Sequence, residues 1–223
     1  MEAEVGGEGA AGKYYSMVIL LFALLAGVFS GFIRSIPVRH GYRPAPLNHT
    51  WLIIVAFLPQ VLAFYFPPTR ASIPDWLAGM CLVSSQIGLL AFVWLNRKNP
   101  GLLVLGIGLA ANLMVIATNR GLMPIAPDTV AALYPGLSPD DGLVGSQLGW
   151  SKNIVLPEIA TNFSFLSDCI TLPTWFPWQY AFSPGDVLIS AGVFWLLWAG
   201  GARSVTSAVP KAWLRWNSKG AAE

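Results

Sequence analysis

The sequence predicts an all-α fold: an integral membrane bundle of five transmembrane helices, with a long external loop between the fourth and the fifth. Three observations carry that prediction. Hydrophobic residues make up 55% of the 223 positions and charged residues only 11%, a balance outside the range of water-soluble globular domains. Five apolar runs, at 14–33, 50–66, 76–95, 101–118 and 186–202, each approach the ~20 helical residues that cross the hydrocarbon layer. The charges, finally, sort by side when five crossings are counted.

Taken in order, the chain opens with an acidic, glycine-rich tail at 1–13. A secretory signal peptide starts basic and runs into small residues at its cleavage point, so the first apolar run is expected to stay as a helix. Its Gly27 and Gly31 form a Gly-x-x-x-Gly pair, and Gly106 with Ala110 makes a similar small pair in the fourth run. Such pairs let helix backbones approach closely, within one chain or between two. No charged side chain occurs within the first four runs. Their polar residues are mild: Gln60 in the second, Gln86 in the third, Asn112 in the fourth. Desolvation makes such groups costly against lipid, so they are expected to face neighbouring helices and hold the bundle together.

Orientation follows from the basic residues. Arg34, Arg39, Arg43, Arg97, Lys98, Arg203, Lys211, Arg215 and Lys219 fall on one face, against Lys13, Arg70, Arg120 and Lys152 on the other. The positive-inside rule makes the first face cytoplasmic, with the N-terminus outside and the C-terminus inside. The domain of five spans then covers 14–202, and the tail at 203–223, where cations alternate with Trp213 and Trp216, is expected to lie on the cytoplasmic surface.

The external loop, 119–185, is too irregular for the bilayer core and too aromatic for a linker. Asn119-Arg120-Gly121 reads as a helix C-cap, with Gly121 free to take a positive φ and Pro124 blocking continuation. A short helix is expected at 129–134, after Pro127 and Asp128. The stretch 173–180, with Trp175, Trp178 and Tyr180 between prolines, is expected to line the outer interface or fold back as a lid. Ser183-Pro184-Gly185-Asp186 is a helix start: a capping serine, a proline at the first helical position, and an acid at the positive dipole end. Arg120, Lys152, Asp168 and Asp186 are the charges expected to converge where the loop leaves and re-enters the bundle, as a salt-bridged clasp.

The first-run pattern Leu20-Leu21-Phe22-Ala23-Leu24-Leu25-Ala26-Gly27, the Asn-Arg-Gly-Leu-Met-Pro turn, Leu166-Ser167-Asp168 and Ser183-Pro184-Gly185-Asp186-Val187-Leu188-Ile189 together resemble a family of small bacterial multi-pass membrane proteins, a domain of unknown function, over 18–201. The family carries no established activity. Members similar to this chain occur in filamentous anoxygenic phototrophs and their relatives, and the resemblance implies an accessory subunit of a photosynthetic or respiratory assembly. Within that reading His49, at the entry to the second run, is a candidate ligand for bacteriochlorophyll magnesium, because neutral imidazole serves readily as a ligand.

Several functions are disfavoured. A net charge of +2 without a basic tract argues against nucleic acid. Ion-coupled carriers need ionisable groups at depth, and the first four runs have none. Cys81 and Cys169 lack metal-ligand spacing, although both fall toward the same face and a disulfide stays open. The reading that follows is a non-catalytic accessory or structural subunit, in contact with membrane lipids and other membrane subunits. The alternative is a protein that binds quinone, carotenoid or pigment between its helices and the stretch 175–180. An outer-face enzyme would need Lys152, Asp168 and Asp186 to converge in a cleft with shifted protonation.

Overall fold

A computed structural model describes residues 18–36, 45–134, 136, 142–149, 151–173, 175–176 and 179–202. Both tails, and Trp178 of the aromatic stretch, lie outside the described residues. The fold is mostly helical: α1 (Val18–Ser35), α2 (Trp51–Phe64), α3 (Pro67–Ser72), α4 (Asp75–Leu95), α5 (Pro100–Thr118), α6 (Pro127–Leu133) and α7 (Pro184–Trp198). Each of the five apolar runs is a helix, namely α1, α2, α4, α5 and α7. Two of them, α4 and α5, are long and apolar enough to cross a membrane. The others are apolar but shorter; α2, with 14 residues, measures about 21 Å at 1.5 Å per residue.

The helices pack in an order the chain does not follow. α1 lies against α7, α7 against α5, α5 against α4, and α4 against α2. The last helix therefore inserts between α1 and α5, and glycine makes room for it. A Cβ on Gly192 would stand 2.5 Å from the Leu105 backbone nitrogen and 2.6 Å from the Gly101 carbonyl oxygen, and one on Gly108 would stand 2.5 Å from the Gly185 carbonyl oxygen. Gly101 and Gly108 on α5, and Gly185 and Gly192 on α7, are each seven residues apart, two helical turns, so each pair faces the partner helix.

The glycine pairs singled out in the sequence divide. Gly27 is packed against Phe194 and Leu197 of α7, and Gly106 against Val93 of α4, while Ala110 is exposed. Gly31 is buried. Gln60 accepts a 3.4 Å hydrogen bond from Ser85 across the α2–α4 contact, whereas the buried Gln86 has an oxygen without a partner.

The external segment, expected to hold loop and one short helix, also contains four short strands, so the all-α expectation holds only for the bundle. β1 (Met123–Ile125) pairs in parallel with β2 (Asn153–Val155), and β3 (Ile170–Thr171) pairs antiparallel with β4 (Ala181–Phe182). Strands of two or three residues are too short to leave a readable alternation. Leu122 and Met123 are buried with Ile154 and Leu156 against Ala63 and Phe64 of α2, Ala78 and Leu82 of α4, and Val115 and Ile116 of α5. The segment after α5 is thus a plug whose core is continuous with that of the bundle.

Local rules explain how the plug begins and ends. α5 stops at Asn119-Arg120-Gly121, where Gly121 has φ +79° and its N–H returns to the Ile116 carbonyl at 2.9 Å. The short helix α6 starts at Pro127, two residues earlier than expected. α7 starts with a full capping box: Ser183 Oγ accepts from the Asp186 N–H at 3.0 Å, and the Asp186 carboxylate accepts from the Ser183 N–H at 3.1 Å. Ser183 Oγ also donates to Asn112 Oδ1 at 3.0 Å. Ser183→Ala is therefore expected to cost about 1–2 kcal/mol, the loss of a cap plus an unsatisfied buried amide oxygen. Thermal unfolding in mild detergent measures this, with Ser183→Thr retaining most of the stability.

Candidate functional site

The polar centre of the molecule lies where the plug meets the first turn of α7. Parallel pairing of β1 with β2 sets one side of it: Met123 donates its N–H to the Lys152 carbonyl at 2.9 Å, fixing Lys152 immediately before β2. The chain then returns through a 3₁₀ turn at Ser164–Leu166, and the Asp168 N–H bonds the Pro124 carbonyl at 3.1 Å. Asp186, the third residue of α7, is held by its capping box.

These supports bring three of the four expected charges together. Lys152 Nζ stands 3.6 Å from Asp168 Oδ2 and 3.8 Å from Asp186 Oδ2. Asn153 donates to Asp168 Oδ2 at 2.7 Å, and Asn112, from the middle of α5, donates to Asp186 Oδ1 at 2.9 Å. Arg120 stands apart, exposed, with a left-handed φ of +61° that turns it away at the end of α5. The helix-terminating conformation that its position serves is what removes it from the cluster.

Electrostatics single out Asp168. It is 2% exposed, and its Oδ1 has no hydrogen-bond partner. Burial pushes its carboxyl up from the ordinary 3.8 to about 6, with Lys152 pulling down and Asp186 pushing up. Burial alone would lower the Lys152 pKa, but the two carboxylates beside it more than offset that and raise it. Lys152 keeps 26% of its side chain exposed and is the accessible member of the trio.

The folded protein holds the Asp168 proton up to about pH 6, whereas an unfolded chain releases it near 3.8. Stability contributed by the protonated form is full below pH 4 and is lost as pH rises through 6, on the order of 3 kcal/mol. Lys152, raised from 10.5, titrates far above this window. Unfolding midpoints between pH 4.5 and 7.5 are expected to fall with rising pH, and Asp168→Asn is expected to flatten the slope. An equally steep slope in that variant would assign it to another group.

Sequence reasoning missed two further staples on the plug. Arg70, buried at the end of α3, pairs with Asp75 at 2.5 Å, donates to the Ile73 carbonyl at 3.1 Å, and bonds Gln147. Asn119 accepts from the Asn162 N–H at 3.0 Å and donates to the Asn162 carbonyl at 2.9 Å. The one signal for Arg70 in the sequence is a lone cation within a short Pro-bounded segment.

The aromatic candidates are scattered. His49 is exposed, with φ +55°, and meets Trp51 edge-on at 6.5 Å. Trp175 is 80% exposed beside Phe176, while Tyr180 is buried against Phe182. Cys81 and Cys169 are both free thiols, so they are not bonded to each other.

Fold and site together define a mostly helical protein in which a polar plug is locked over one end of an apolar bundle by buried charge. The chain belongs to the DUF5317 family, a family of unknown function, whose signature matches residues 44–198. It is also similar to an uncharacterized protein of Thermotoga maritima, 25% identical over 178 residues that cover 79% of this chain and 86% of the relative. No solved structure matches the chain.

Proposed function

We propose that this chain is a bacterial cytoplasmic-membrane protein that crosses the bilayer five times, N-terminus outside and C-terminus inside, and serves as a non-catalytic accessory or structural subunit. The observation that carries this reading is the bare apolar surface of the outer helices. On α1, Leu21, Phe22, Leu25, Phe29 and Phe32 are each more than half exposed, and on α2 Ile54, Val55 and Leu58 are as well. Water would not tolerate so continuous a patch, whereas lipid tails or a partner's helices would cover it without cost. The shorter helices span by local thinning of the bilayer and by their flanking residues.

The charges support a structural role. Lys152 is engaged with Asp168 and Asp186, these with Asn153 and Asn112, and Asp168 is buried. The convergence an outer-face enzyme would need is present, but it is spent on joining the plug to α7. A photosynthetic or respiratory complex as host rests on the family resemblance alone. A second reading, a protein that holds quinone, carotenoid or a similar apolar molecule between its helices, draws on Gln86 and Ser190, whose buried oxygens lack partners.

The test combines topology with purification. Reporter fusions at the two termini are expected to report opposite sides of the membrane, and the chain is expected to stay in membranes through an alkaline carbonate wash. Mild-detergent purification is expected to bring down partner subunits. A lone polypeptide that turns over a substrate, or termini on one side, would overturn the reading; a stoichiometric apolar ligand on a lone chain would favour the second.

A further inference from the structure

We infer that the groove at the end of the bundle opposite the plug binds the phosphate headgroup of an anionic phospholipid. The inference rests on the five-span reading, which sets this end at the cytoplasmic surface. The groove, about 510 Å³, lies between the chain entering α2 and the turn joining α4 to α5, and Asn48, Leu95, Asn96, Arg97, Lys98 and Asn99 line it.

Its walls are preformed. The buried Asn96 side chain accepts from the Asn48 N–H at 2.7 Å and donates to the Asn48 and Phe92 carbonyls at 3.0 and 2.9 Å, clamping the two segments together. Arg97 is set over the Trp94 ring at 4.8 Å and donates to the Trp94 carbonyl at 3.2 Å. Held this way, its guanidinium binds an anion with less ordering entropy still to lose.

Among the described residues its charge is uncompensated. The acids among the described residues are Asp75, Asp128, Glu158, Asp168 and Asp186, which start α4, begin α6, lie in the plug or start α7, all at the other end. Arg97 and Lys98 therefore face the groove with no carboxylate of the described residues near them, and a low-dielectric wall strengthens their field. The rim is apolar: Leu95 is about half exposed and Trp94 is 67% exposed. A free phosphate would use only the cations. A lipid uses both, with its headgroup between Arg97, Lys98 and the side-chain amides of Asn48 and Asn99 and its acyl chains along α4.

The test uses the full chain in neutral detergent, titrated with phosphatidylglycerol, phosphatidylcholine or inorganic phosphate and read by native mass spectrometry and unfolding midpoint. Saturable binding of phosphatidylglycerol is expected, with little effect from the other two. The double variant Arg97→Ala/Lys98→Ala should weaken it by about thirtyfold. Lys98→Ala alone, which leaves Arg97 on Trp94, should give an intermediate loss, and Arg120→Ala at the plugged end none. Unchanged binding in the double variant, equal binding of phosphatidylcholine, or competition by millimolar phosphate to the same endpoint would each overturn the assignment. A chain released by carbonate wash would sink the five-span reading itself; a retained chain with a flat phosphatidylglycerol titration would sink only the headgroup site.

Discussion

Lys152→Ala is expected to loosen the plug from α7 and to cost about 2–4 kcal/mol, below the 3–5 of a fully buried broken pair because Lys152 keeps about a quarter of its exposure. Its removal leaves Asp168 and Asp186 facing each other with the cation gone, one of them already lacking a partner on Oδ1. The folded protein can answer only by taking up a proton. The loss is therefore expected to be larger at pH 7.5 than at pH 5, because the Asp168 carboxyl, already at about 6, rises further without its lysine. Limited proteolysis between 119 and 185 should report the opening, since the bundle helices hold together through their own packing. Lys152→Ala/Asp168→Asn should recover much of the stability. A double variant no better than the single one would mean that Lys152 acts through packing of its aliphatic stem.

Gly192→Val is expected to be as damaging or worse. The three nearest atoms that the new Cβ would meet are all on α5: the Leu105 nitrogen at 2.5 Å, the Gly101 oxygen at 2.6 Å and the Leu105 Cβ at 2.7 Å. Two of the three are backbone, which has no rotamer to change. The helices must separate, so the cost should reach the upper end of overpacking, about 3 kcal/mol or more. It should also spread to the distant cluster, since α5 carries Asn112 and α7 carries Asp186. Gly27→Ala is the comparison: its Cβ would meet Leu197 and Phe194 at 3.0–3.1 Å, and a smaller loss is expected there. Unfolding midpoints in detergent measure both. Equal losses would show that the α5–α7 contact yields more readily than its backbone approach implies.

The fold was legible wherever one property repeats along the chain. Unbroken apolar runs located the five long helices, and the residue chemistry of Ser183-Pro184-Gly185-Asp186 located the start of α7 to the residue. The glycines that matter most were not found, because a seven-residue spacing in a chain with 22 glycines is invisible without knowing which helices meet. Arg120 illustrates the opposite failure. Its charge and position suited a clasp, but a left-handed φ at the helix end, a backbone property, turned it away.

By itself the sequence determined the five apolar helices and their character, since helical span and composition depend on neighbours along the chain. It also determined which charges could meet, because so few lie near the ends of the runs. Only the tertiary structure decided that α7 slots between α1 and α5, that the segment after α5 is a plug with strands and a core, and that Asp168 rather than Asp186 is left with a bare oxygen in the interior. The reason is physical: packing order and desolvation depend on residues far apart in the chain, such as Asn112 with Asp186 and Lys152 with Asp168, and no local pattern encodes the distance between them.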